Sequence, residues 1–188
     1  MTAPASPATV LLHACCAPCS AAVVERLLQE GHRPLVYFSN ANIHPYTEYA
    51  HRLSELGRFL RAQGVPLVVA PYAHSAWLRA VAGLEACPER GARCEACFRF
   101  RLHEAARAAA ERGIPLLATS LAASRWKDVA QVNAAGEWAV AQTRGVAFWG
   151  RNWRKGGLQE RRGELIRQWG FYNQRWCGCE FSEIREKR

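Results

Sequence analysis

The chain has 188 residues, 49% of them apolar and 22% charged, with a formal net charge of +9. That length suffices for one domain with a buried core, and the composition excludes a wholly disordered chain. No run approaches the roughly 20 apolar residues of a membrane span. Residues 1–7 read as a loose tail without the basic start and apolar stretch of a secretion signal, so a cytoplasmic chain is expected.

Residues 8–14 (ATVLLHA) form an apolar run of strand formers, followed by CCAPCS and a helical stretch, AAVVERLLQEG, that Gly31 stops. Residues 34–40 predict a second strand, the polar loop ANIHPY follows, and residues 47–63 predict a helix ended by Gly64. VPLVVAPY reads as a third strand. A helix near residues 75–82 precedes the irregular EACPERGARC. Residues 95–112 read as a helix ended by Gly113, residues 114–120 as a fourth strand and residues 126–140 as mostly helical. Strand and helix thus alternate over residues 8–140, which predicts an α/β fold: a Rossmann-like parallel sheet with helices on both faces. Residues 141–188 break the alternation. They contain one helix, over residues 158–169, and form an irregular, partly helical cap expected to close over the sheet edge within the same single domain.

In a parallel sheet, ligands bind beyond the carboxyl ends of the strands. CCAPCS follows strand one, NANIHPY strand two and SLAASRWKD strand four, so all three loops are expected at one edge.

Eight cysteines is a high count for such a chain, and seven fall into three clusters: Cys15, Cys16 and Cys19; Cys94 and Cys97; Cys177 and Cys179. Without a secretion signal, thiol chemistry or metal binding is a better reading than a disulfide framework. The first two clusters lie at helix starts, where the partial positive charge favours thiolates, and Gly178 lets the CGC backbone curl. Seven thiols exceed the four that one iron–sulfur cluster or one zinc ion requires. The surplus points to a cluster with a second metal, or a cluster with redox-active thiols. Cys87, alone in its loop, reads as a bystander. No phosphate loop of the GxxxxGK[ST], SGGxDS or GxGxxG kind occurs, which argues against nucleotide activation. Basic residues outnumber acidic ones eleven to five from Arg144 to Arg188, and five of the seven tryptophans lie between Trp138 and Trp176. Nucleic-acid binding and a solvated face over core tryptophans both fit that pattern.

Taken in order, LLHACCAPCS, YFSNANIHPYTEYAHRL, RCEACFRFRL, NWRKGG and FYNQRWCGCEFS resemble the QueH-type epoxyqueuosine reductases, from about Leu11 to Ser182. The resemblance implies reduction of the epoxide of epoxyqueuosine, at the tRNA wobble position, to the alkene of queuosine. It also implies a [4Fe-4S] cluster beside a mononuclear iron. Three positions depart from the family pattern. Asn40-Ala41-Asn42 stands for the usual NPN, Cys19 for an aspartate that helps hold the extra metal, and Trp176 for a tyrosine, which loses a hydroxyl that Tyr172 could replace.

On that reading, Cys15, Cys16, Cys94, Cys97, Cys177 and Cys179 bind the cluster, and Cys19 completes the metal-binding set. His44, Tyr46 and Asp128 are the catalytic proton-donor candidates, with His13 as another; Asp128 can equally cap a helix and His13 can be a satisfied core residue. Asn40, Asn42 and Glu48 are candidates for the base, and Arg99, Arg101, Arg125, Lys127, Arg151, Arg154 and Lys155 for tRNA phosphates. Two electrons, delivered one at a time, call for an external ferredoxin or flavodoxin. A zinc-stabilised nucleic-acid-binding module and a thiol–disulfide oxidoreductase are the alternatives.

Overall fold

The computed structural model describes residue 4 and residues 6–182. The rest of the expected tail, residues 1–3 and 5, and residues 183–188 of the expected cap lie outside the described residues.

Strand β1 (Thr9–Ala14) is buried along nearly its whole length, as a strand with helices on both sides must be. It pairs in parallel with β2 (Arg33–Phe38) on one side and β4 (Leu116–Thr119) on the other. Strand β3 (Leu67–Val69) pairs with β2, and β5 (Ala147–Phe148) with β4. Among the described residues this gives a five-stranded, all-parallel sheet of order β3-β2-β1-β4-β5. The chain runs outward from β1 to β3, then returns across the centre to start β4. That reversal places the crossover helices on opposite faces. Helices α1 (Ala17–Gln29) and α2 (Tyr46–Ala62) pack together, and so do α4 (Ala92–Glu111) and α5 (Val129–Ala141). Helix α3 (His74–Ala80) packs on α4, and α6 (Leu158–Trp169), from the C-terminal segment, packs on α1.

Several boundaries differ from the sequence reading. Strand β3 has three residues instead of eight, because Pro66 and Pro71 flank it and cannot donate to a ladder. Helix α4 begins at Ala92, after Gly91, so Cys94 and Cys97 occupy its first two turns. A short 3-10 turn, Ser120–Ala123, separates β4 from α5. Strand β5 is absent from the sequence reading: two residues leave no alternation to see, and Trp149 N–H to the Leu117 carbonyl (2.7 Å) fixes its place.

Candidate metal centre

The order reverses between β1 and β4, and the crevice beyond their carboxyl ends is where a ligand fits such a sheet. The first thiol cluster stands there. Cys15 follows β1 directly, Cys16 is the N-cap of α1 and Cys19 lies in its first turn. Their sulfurs lie within 4.8 Å of one another, with Cys15 and Cys16 at 3.7 Å. Cys94 and Cys97 come from α4, and Cys177 and Cys179 from the strap after α6. All seven thiols line one cavity; Cys87 is not among its lining residues.

Each cluster has a local cause. Arg90 sits in the left-handed region (φ +67°), and its backbone N–H donates to Cys94 Sγ at 3.2 Å. Gly178 takes φ +98°, and a Cβ there would stand 2.9 Å from Ile43, so only glycine lets the CGC strap lie this close to the loop after β2. Cys177 Sγ and Ser182 Oγ are 3.0 Å apart. Arg52 ties the strap to α2: it donates to Glu48 (2.7 Å) and to the carbonyls of Cys177 (3.0 Å) and Trp176 (3.3 Å).

The thiols do not share charge evenly. Hydrogen bonds from Cys16 and Cys19 hold Cys15 well below the ordinary thiol range, burial opposes, and Lys127 and Arg101 assist. Cys179 does the same for Cys177, again with Lys127 assisting. The donors move the other way: Cys15 raises Cys16 and pushes Cys19 up to about 11, and Cys177 raises Cys179. Burial raises Cys94 and Cys97. Burial also works against the Lys127 ammonium, but Cys15, Cys177 and Cys19 outweigh it and raise its pKa. The cavity therefore carries thiolates facing fixed cations.

The other sequence candidates divide. Asn42, Arg101, Arg125 and Lys127 line the cavity. Asn42 Oδ1 is buried without a partner. Asn40 is committed to the fold: its amide donates to the Ala14 carbonyl (2.8 Å) and its Oδ1 accepts from Arg101. Arg101 also donates to the Ser39 carbonyl at 3.2 Å.

The three catalytic candidates of the sequence reading are not among the residues that line the cavity. Asp128 caps α5, accepting from Ala130 N–H (2.8 Å) and Gln131 N–H (3.2 Å). Tyr46 is 59% exposed, and His44 stacks on His74, which opens α3. The His44–Pro45 peptide is cis and lies at the start of α2. His13 is a satisfied core residue. Its Nε2–H donates to the Ser39 carbonyl (3.1 Å), so Nδ1 accepts from the Thr119 hydroxyl (2.9 Å). Burial first, then Arg101, pushes its pKa down to about 3. Tyr172 stacks on His51 and is not a lining residue.

Among the phosphate candidates, Arg99 pairs with Glu95 (2.7 Å) and Arg154 donates to the Ser124 and Lys127 carbonyls. Arg151 grips Glu30 with two bonds (2.6 and 2.8 Å). Lys155 is exposed and away from the cavity. Sequence reasoning missed Arg52, Arg93, Arg162 and Arg175, all of which line the cavity. For Arg52 a signal existed, since Glu48 stands four residues before it on a helix.

A parallel α/β sheet with a buried, cation-ringed set of thiols at its switch point defines a thiol-centred α/β protein equipped to hold a metal or cluster. The family model described as epoxyqueuosine reductase QueH matches residues 10–185. Proteins named epoxyqueuosine reductase QueH are similar along most of the chain. The one from Histophilus somni is 43% identical over 92% of this chain and 71% of its own, and that from Haemophilus influenzae 42% over the same shares. The one from Thermotoga maritima is 32% identical over 95% of this chain and 93% of its own. The chain belongs to the epoxyqueuosine reductase QueH family, a family of oxidoreductases.

Proposed function

We propose that this protein reduces the epoxide of epoxyqueuosine in tRNA to the alkene of queuosine, the last step of queuosine synthesis, through an iron–sulfur centre held by its thiols. The observation that carries this reading is the gathering of seven thiols from three distant segments at one cavity, in a chain of this family. The donor set fits a [4Fe-4S] cluster, which takes four thiolates. The candidates for that cluster are Cys15, Cys16, Cys94, Cys97, Cys177 and Cys179, and Cys19 belongs to the set from which an adjacent iron would be held. Lys127, Arg101 and Arg52 supply the positive charge that a buried anionic cluster requires.

Removing the epoxide oxygen as water takes two electrons and two protons. A bound cluster supplies electrons singly, and an iron with an open position supplies Lewis acidity. The electrons come from an external donor of the ferredoxin or flavodoxin class. The chain's own residues provide the rest. Asn42, with its unpaired Oδ1, is suited to accept from a ring hydroxyl or a base N–H. Lys127 Nζ is a proton-bearing group in the cavity wall. Arg125, stacked over Trp126 (4.6 Å), and Arg175 on the strap form a rim that pairs phosphate attraction with base stacking. We read the chain as one cytoplasmic catalytic unit, with residues 141–188 as the cap over the core of residues 8–140; among the described residues, no helix is long and apolar enough to cross a membrane.

The decisive assay incubates anaerobically reconstituted protein and a chemical reductant with tRNA bearing epoxyqueuosine. Conversion to queuosine, with loss of turnover and of iron in Cys177→Ser and Cys179→Ser, is the expected result. A colourless protein with stoichiometric zinc and no conversion sinks the proposal in favour of a nucleic-acid-binding module. A titratable disulfide without iron or sulfide favours a thiol–disulfide oxidoreductase.

A further inference from the structure

Outside the thiol cavity, three side chains from three segments converge. His44 belongs to the loop after β2, His74 opens α3, and Glu180 follows Cys179 on the strap. Their ligand atoms lie within 4.8 Å of one another.

The His74 ring is fixed by its surroundings. Its face is stacked with the rings of His44, Tyr72 and Trp77 at centroid distances of 5.2 to 5.6 Å. Its Nδ1 stands 2.7 Å from the Ala41 carbonyl oxygen. A carbonyl oxygen only accepts, so Nδ1 carries hydrogen and donates. In the neutral ring, Nε2 is then a bare lone pair, and it faces Glu180 Oε1 at 3.0 Å. Two acceptors that close require a cation: a second ring proton or a metal ion. A proton satisfies this pair and gives His44 no role. A metal ion uses all three groups. An imidazole whose second nitrogen donates to a backbone carbonyl is oriented and made more basic for metal binding. Two imidazoles and a carboxylate form a set that suits zinc and similar divalent ions, with a position left for water. Ligand atoms bound at about 2.0–2.2 Å in a tetrahedron stand about 3.3–3.6 Å apart. The His74–Glu180 pair is already near that spacing, and rotation of the exposed His44 side chain closes the rest.

We propose that His44, His74 and Glu180 form a second metal site, of the zinc class, distinct from the thiol centre. The site does not rest on the reaction proposed above. Its consequence is mechanical. The His44 backbone N–H already donates to the Gly178 carbonyl at 2.8 Å. A divalent ion would cross-link the loop after β2 to the strap bearing Cys177 and Cys179, and so hold shut one wall of the thiol cavity.

The test uses anaerobically reconstituted protein, whose thiols are engaged, and Zn²⁺ as the probe. Calorimetric titration should give one equivalent of zinc beyond that in the protein as prepared. Absorption at the zinc K-edge should show nitrogen and oxygen neighbours and none at the sulfur distance of about 2.3 Å. Glu180→Gln and His44→Asn should each weaken zinc binding at least tenfold with unchanged iron content, and zinc should raise the melting temperature of the parent but not of Glu180→Gln. His74→Ala also removes a packed ring, so the exposed Glu180 carries the test independently of folding. Zinc with sulfur neighbours, binding that survives Glu180→Gln and His44→Asn, or no binding with zinc in large excess overturns the proposal.

Discussion

Arg52 joins the start of α2 to the strap through three acceptors, and its side chain is nearly inaccessible to solvent. Cutting a buried ion pair on one side leaves a carboxylate and two carbonyls without their donor. Arg52→Met is therefore expected to cost about 3–5 kcal/mol in urea unfolding, and to speed thiol modification at Cys177. An unchanged urea midpoint would show that the strap is held elsewhere. The Glu48–Arg52 spacing was legible in the sequence as a helical pair. Its reach to the Trp176 and Cys177 carbonyls was not, because those acceptors belong to a segment more than 120 residues away. The same reason separates Asn40 from Asn42. Both are buried amides from one short motif, but one is consumed by Ala14 and Arg101 and the other is left facing the cavity. Residue type announces that a polar group needs a partner; it does not say whether the fold or the substrate supplies it. Asp128 was legible as a cap because that role needs only the two N–H groups just after it.

At the level of elements, the thiol clusters depend on how closely their carriers approach. A methyl group at Gly178 meets Ile43 and is strained at φ +98° besides. Gly178→Ala should cost about 1–3 kcal/mol and lower iron content after reconstitution, measured by metal analysis on the folded fraction; full iron retention would mean the strap can bind without this curl. A second contact makes a sharper contrast. Glycine inside a helix normally costs about 1 kcal/mol relative to alanine. At Gly136 of α5, however, a Cβ would stand 2.3 Å from the Phe148 ring of β5. Overpacking of about 1–3 kcal/mol outweighs the helix gain, so Gly136→Ala should lower the melting temperature. A rise would show that β5 yields readily. Helix stops at Gly31, Gly64 and Gly113 were readable from sequence, since each takes a positive φ just past a helix end. Strand order was not readable: it arises from which strands pair, and β5 is too short to carry any period.

For the whole molecule, the count of 25 lysines and arginines overstates the side chains free to contact a polyanion. Arg151 and Arg161 are spent on Glu30 and Glu25, and Arg154 on backbone carbonyls. Binding to the proposed tRNA substrate should weaken at least tenfold between about 50 and 200 mM salt, and Arg125→Ala should reduce the slope of log K against log salt by about one. Arg151→Ala should leave that slope unchanged; equal effects from both would remove Arg125 from the rim. The sulfurs themselves come from positions 15 to 179. During translation, Cys15, Cys16 and Cys19 leave the ribosome long before Cys177 and Cys179 exist, and they remain unescorted thiols for most of that time. Assembly of the full set of seven thiols is thereby tied to synthesis of the strap. A polypeptide truncated or clipped ahead of its CGC strap would keep five of the seven cavity thiols and lack the two that come last from the ribosome.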